Sequence, residues 1–363
     1  MNRPNNSKTL IKPLLVAAGM ATTAAASAWA TELTDAVVNI SAGHVTTDAA
    51  VDPESVARAG WRALMAHNPK PAAGCFHASY PSIVWESVAC SSAKPRVHPK
   101  HAQPTTDAPE STGGTQTANN DYAAWATGLI TEAFGFFGTS GVKSETGVSI
   151  FGGGILGPNE YSIQLNTNEW ETTSACDRHS GCRVWQQFVY ATDYIGEGEA
   201  AVFMQYWLLG WGSTLCPLGF TQDGLNCYAN TFLMPAPDVP ITDLGNVVLA
   251  ASATAGGNDE VAFSYESEAY SIAFPDAVLN IATVWNKAEF NVVGNGDGAR
   301  ANFNIGSSIT VSLFLADGST SAPTCLANGG STGESNNLNA GACTTSGGVP
   351  HIQFTESLEA LRR

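Results

Sequence analysis

Three stretches of this chain set amides and carboxylates among apolar residues with a two-residue period. Val184-Trp185-Gln186-Gln187-Phe188-Val189-Tyr190 places Gln186 in phase with Val184, Phe188 and Tyr190, and Gln187 in phase with Trp185 and Val189. Ala201-Val202-Phe203-Met204-Gln205-Tyr206-Trp207 puts Gln205 on the face of Phe203 and Trp207. In Lys287-Ala288-Glu289-Phe290-Asn291-Val292-Val293, Glu289 and Asn291 share one face while Ala288, Phe290 and Val292 share the other. A strand alternates sides residue by residue, so this pattern describes a sheet with one apolar face and one polar, aromatic face. Such a face can hold a polymer chain, and a carboxylate within it is a residue type that moves protons. The competing reading is that each polar group simply points to solvent.

Other sources of chemistry are sparse. The chain has no G-x-S-x-G elbow, no H-E-x-x-H and no phosphate-binding loop. His98 and His101 have metal-like spacing but sit in a Pro-rich stretch, and Asn295-Gly296-Asp297-Gly298 reads as a turn between strands before it reads as a calcium loop. No metal and no cofactor is expected. Nucleic-acid and anionic-membrane partners are excluded by charge. The net charge is −16, and a mature chain without Arg3, Lys8 and Lys12 would carry −19, with no basic footprint.

The elements that would position these residues are mostly strands. Two-residue alternation predicts strands at 161–166, 184–190, 201–209, 246–253, 260–265, 268–274, 287–293, 300–304 and 309–315, separated by clusters such as Gly256-Gly257-Asn258-Asp259. A single helix is expected within the domain, at 276–285. Many strands at this spacing predict an all-β, two-sheet antiparallel β-sandwich over 121–363, preceded by a small helix-containing pre-region at 31–90 and a Pro-, Thr- and Gly-rich linker at 91–120. The pre-region helix begins at Asp52-Pro53-Glu54, with Pro at the first helical position, and carries Val56, Trp61, Leu64 and Met65. Residues 1–30 read as a signal peptide ending in Ala28-Trp29-Ala30. Export to an extracellular or periplasmic compartment follows. The eight cysteines suit it, falling into the close pairs Cys75 with Cys90, Cys176 with Cys182, Cys216 with Cys227, and Cys325 with Cys343. Eight cysteines allow 105 connectivities, and nearest-neighbour pairing is the one expected here.

Segment order over about 121 to 320 resembles the eqolisin-type glutamic peptidases, acid endopeptidases on a concanavalin A-like β-sandwich. Asp121-Tyr122-Ala123-Ala124-Trp125-Ala126 and Phe134-Gly135-Phe136-Phe137-Gly138 look like that family's opening strands. The strand around Val184 is similar to the one carrying its catalytic glutamine, and the strand around Lys287 to the one carrying its catalytic glutamate. A fainter resemblance to the neprosin family lies in Phe203 to Trp207 and in Cys216-Pro217-Leu218-Gly219-Phe220. The resemblance implies that Glu289 is a general base activating water and Gln186 the oxyanion donor. Trp185, Gln205, Trp207 and Asn291 are expected to line the site, an extracellular polypeptide is the substrate that the resemblance implies, and the protein is expected to be a monomer. The pre-region would then be a pro-segment. Two alternatives stay open: a carbohydrate-binding or carbohydrate-active sandwich taking a glycan, and a non-catalytic extracellular binding protein. Glycosidases need two carboxylates across a cleft, for which Glu266 and Glu268 are the sequence's weak offer.

Overall fold

A computed structural model describes residues 53–97 and 121–359, apart from 151, 178, 328 and 329. The signal peptide, most of the linker, and His98 with His101 lie outside the described residues.

The expected strands are present, and two large antiparallel sheets account for most of them. The front sheet runs, in spatial order, through Thr221–Asp223, Asn226–Asn230, Glu199–Leu209, Arg183–Gly196, Tyr161–Asn166, Lys287–Gly294, Tyr122–Trp125 and Thr324–Ala327. The back sheet is centred on Val247–Ala253, Glu132–Ser140 and Ser308–Ala316. Aromatic and β-branched residues at alternate positions face inward from both sheets and form one core. Phe290 stacks on Phe137 at 4.7 Å, and Tyr190 on Phe263 at 4.0 Å, each pair joining front sheet to back. The expected β-sandwich is therefore observed. All four cysteine pairs form the disulfides expected of near neighbours.

One element differs from expectation. The helix expected at 276–285 is two 3₁₀ turns, Asp276–Val278 and Ile281–Thr283. Asn280 between them takes a left-handed backbone at φ 55°, which an α-helix cannot pass through. The Asp276 carboxylate accepts from the Ala282 amide at 3.0 Å and holds the break closed.

The N-terminal residues build onto the sandwich. The helix Pro53–His67 lays Trp61, Met65 and Ala66 against Phe134, Phe136 and Phe314 on the outer side of the back sheet. Burying side chains of Trp or Met size stabilises by roughly 1.5–3 kcal/mol each. The strand Gly74–Ser79 pairs antiparallel with Glu268–Pro275 and extends the same sheet. The chain then crosses to the front sheet, where Ser91 pairs with Leu233, and the Arg96 guanidinium donates to the Asp193 carbonyl at 3.0 Å. Cys75 and Cys90 close on each other, so no disulfide ties residues 53–97 to the rest. A chain cut between 98 and 120 is thus expected to elute as one particle in gel filtration. On a denaturing gel it should separate into two pieces without reductant. Elution of a free N-terminal piece under native conditions would show that the strand and helix contacts do not suffice.

Candidate functional site

Strand register brings the amides together. Glu289 lies opposite Asn166, Asn166 opposite Gln187, Gln187 opposite Gln205, and Gln205 opposite Asn230. Residues directly opposed in an antiparallel pair share a face, so these five form one polar row across five strands. Alternation puts the row on the outer side of the front sheet, because the intervening Phe290 and Phe188 belong to the inter-sheet core. Trp185 pairs with Trp207, and Trp207 with Tyr228, in the next row on the same face. Trp185, Gln205, Trp207 and Asn291, all expected to line the site, are therefore on the Glu289 face.

Gln186 is not. It was expected to partner Glu289, but it points to the opposite side of the sheet, into the core. There its amide Nε2 lies 3.7 Å from Met204 Sδ and the group contacts Asp259 of the back sheet. Gln187 is the glutamine on the Glu289 face.

A continuous hydrogen-bond network fixes the row. The Trp207 indole N–H donates to Gln205 Oε1 (2.8 Å) and to Gln187 Oε1 (3.2 Å). An indole nitrogen only donates, so it settles which end of each amide is oxygen. Gln187 Nε2 then donates to Gln164 Oε1 at 2.9 Å, which leaves its second N–H for another acceptor. Gln205 Nε2 donates to Asn230 Oδ1 at 2.7 Å. At the other end, Glu289 Oε2 accepts from the Ser331 amide (2.7 Å), the Ser331 hydroxyl (2.8 Å) and Asn166 Nδ2 (3.3 Å). Ser331 Oγ also accepts from the Trp185 indole at 3.1 Å. With Oε2 so occupied, Oε1 is the oxygen of Glu289 available for proton exchange.

Residues not expected from the sequence complete the site. The Asp121 carboxyl is hydrogen-bonded to Glu289, and burial together with that neighbouring charge holds it well above the usual carboxylate range. Gly330 lies beside both: a Cβ there would stand 2.9 Å from Glu289 Oε1 and 3.6 Å from Asp121 Oδ2. Behind them Glu356 accepts from Asn336 (3.0 Å) and Asn291 (3.4 Å), with burial raising its pKa to about 7. Lys287, next along the Glu289 face, is engaged elsewhere, its ammonium 2.8 Å from Glu169 and 4.9 Å from the Trp170 ring. The row is closed to solvent from Glu289 to Gln205, with Asn230 at its end partly exposed. Gln187 and Gln205 are 0% exposed and Glu289 2%. Ser331 covers the Glu289 end, and Val97 packs with Val189, Phe203 and Leu233 further along the same face.

Among the described residues no group of three or more His, Cys, Asp or Glu side chains is placed to hold a metal. Asn295-Gly296-Asp297-Gly298 is a turn, with Asp297 at φ 52° and Gly296 and Gly298 at φ 72° and 71°. Asn295 donates its amide to the Thr192 carbonyl.

Buried carboxyls occur away from the row as well. Burial pushes Glu145 to about 9 and, with Asp276 nearby, Asp259 to about 8. These two and Glu356 bind protons more tightly in the folded chain than unfolded, where carboxylates titrate near 4. Their contribution to stability is full below about pH 4 and is lost as pH rises through about 7 to 9. One unit of net effect from each, at ~1.4 kcal/mol per unit, amounts to about 4 kcal/mol. That is roughly 10 °C in melting temperature for a domain of this size. Calorimetry should therefore find the protein more stable near pH 4.5 than near pH 8.5, and a flat or inverted profile would count against these protonated burials.

No protein-family model and no curated protein matches this chain. Among solved structures, a scytalido-glutamic peptidase with a transition state analog inhibitor is similar over 66% of this chain and 98% of its own, at 10% identity and a TM-score of 0.27. SCP-B, a member of the eqolisin family of peptidases in a complex with the tripeptide Ala-Ile-His, is similar over 66% of this chain and 98% of its own, at 9% identity and a TM-score of 0.30. At that degree of superposition the likeness adds no argument to the geometry.

Proposed function

We propose that this chain is a secreted acid endopeptidase of glutamic type, with Glu289 as general base and Gln187, not Gln186, as the oxyanion donor. The observation that carries the reading is the in-register row placing Glu289 and Gln187 on one sheet face with only Asn166 between them. Two strand spacings separate them by about 10 Å, a width at which two long side chains can approach one peptide group from opposite sides. Glu289 Oε1 takes a proton from the attacking water and returns it to the leaving amine. The second Gln187 N–H donates to the oxyanion of the tetrahedral intermediate. Trp185, Trp207 and Tyr228 supply apolar surface beside the row for substrate side chains.

Closure of the row suits a stored form, opened when cleavage within 98–120 loosens residues 91–97 from this face while the helix and strand before them stay docked. Four disulfides and the absence, among the described residues, of any helix long and apolar enough to cross a membrane suit an exported protein. A carbohydrate-cleaving role is disfavoured by the carboxyls themselves. Glycosidases keep their two carboxyl groups about 5 to 9.5 Å apart across the scissile bond, whereas Asp121 and Glu289 are hydrogen-bonded to each other.

Purified full-length protein incubated with denatured casein between about pH 3 and 5 tests the reading. New peptide N-termini by mass spectrometry are the expected result, together with a cut between 98 and 120 in the protein itself. Intact casein throughout that window would refute the reading.

A further inference from the structure

Asp121 is unused by the mechanism above, yet it is the nearest titratable neighbour of the proposed base. Its Oδ1 is sealed from solvent and has no hydrogen-bond partner, while its carboxyl contacts Glu289. Two adjacent buried carboxyls cannot both be ionised without strong repulsion, so such pairs hold one proton between them. The groups facing Asp121 are Glu289 from the strand Lys287–Gly294 and Glu356 from the strand His351–Ser357, with the Tyr122 backbone alongside. All the charge facing it is negative. Gly330 packs its backbone closely against the pair: an alanine methyl there would come within 2.9 Å of Glu289 Oε1. Gly330 is not among the positive-φ glycines, so the backbone does not require glycine at that position. What requires it is the lack of room for a side chain between the backbone and the two carboxyls.

We propose that Asp121 and Glu289 act as one proton-sharing pair, held in place by the close approach of the Gly330 backbone. The pair stands on its own geometry, while its part in a reaction rests on the peptidase reading. Asp121 keeps its proton throughout and donates it as a hydrogen bond to Glu289, which makes it a positioning residue. The water oxygen bonds to the carbonyl carbon, the water's proton moves to Glu289 Oε1, and the carbonyl π pair moves to oxygen. When the carbonyl re-forms, the C–N bond breaks and the amine nitrogen takes that proton from Glu289. One peptide bond and one water become a carboxyl and an amine, with both side chains as they began. Loss of the Asp121 proton places two carboxylates side by side and ends activity, so this ionisation sets the alkaline limit of the pH profile.

The test compares wild type, Asp121→Asn and Gly330→Ala, all full-length. Asn keeps an N–H donor but cannot ionise. It should cleave more slowly than wild type while its alkaline limb moves up by at least about one pH unit. Gly330→Ala should lower kcat by about 100-fold with little change in KM, as expected for displacement of a reacting group by an ångström. Infrared difference spectra at about pH 6 supply a readout independent of turnover: wild type minus Asp121→Asn should show a protonated-carboxyl C=O band. A missing band, or an alkaline limb unmoved in Asp121→Asn, overturns the proposal. The band in a protein that cleaves nothing would uphold the shared proton and refute the peptidase reading.

Discussion

Replacing Glu289 with Gln should give a folded protein whose cleavage of denatured casein near pH 4 falls by roughly 100- to 10,000-fold, the usual contribution of a positioned acid–base group. The substitution preserves size and shape. Both Ser331 donors can still reach an oxygen, and the new amide nitrogen would fall on the side of Asp121. The fold should therefore survive. What is lost is the ability of one oxygen, Oε1, to accept a proton from water. Near-UV circular dichroism and the melting temperature would verify the fold alongside the rate, and undiminished cleavage would remove Glu289 from the chemistry.

Gln187→Ala is expected to cost roughly 100- to 1000-fold in kcat, as loss of one oxyanion donor does elsewhere. Its neighbours remain satisfied without it. The Trp207 indole still has Gln205 Oε1 at 2.8 Å, and Gln164 Oε1 still receives Asn166 Nδ2 at 3.3 Å. The stability cost should thus be small against the rate effect. Gln186→Ala should behave in the reverse manner. That side chain is in the core, and its removal takes a polar contact from the buried Asp259 carboxyl at a cost of about 1–3 kcal/mol, while cleavage stays at the wild-type order of magnitude. Thermal melts and initial rates on one peptide separate the two effects.

Gln186 and Gln187 also show how far the sequence could be read. The period of two located the strand and put a glutamine on each side of it. Both sides, however, carry apolar partners, Val184, Phe188 and Tyr190 against Trp185 and Val189. Which set faces the second sheet is decided by packing such as Tyr190 on Phe263, and no local signal encodes that contact. Glu289 and its neighbours were legible because their two faces differ sharply in polarity. Asp121, Gly330, Ser331 and Glu356 were not legible as site residues. Asp121 precedes a short strand, Gly330 and Ser331 follow one, and Glu356 alternates in a terminal strand. Their only common property is proximity to Glu289 in space. One signal was available: an acid two residues before Ala123, in a strand whose pairing with Lys287–Gly294 sets Ala123 opposite Glu289. Using it required the register, which the sequence does not specify. The lost helix at 276–285 has a local cause, the left-handed Asn280, which apolar spacing cannot reveal.

The central claim is that the chemistry lies on the outer face of the front sheet. Initial rates of Gln186→Ala and Gln187→Ala, measured on one peptide substrate near pH 4, test it most directly. The expected result is that the Gln187 variant is slower on the order of 100-fold or more. Equal rates, or a Gln186 variant that is the slower of the two, would contradict it.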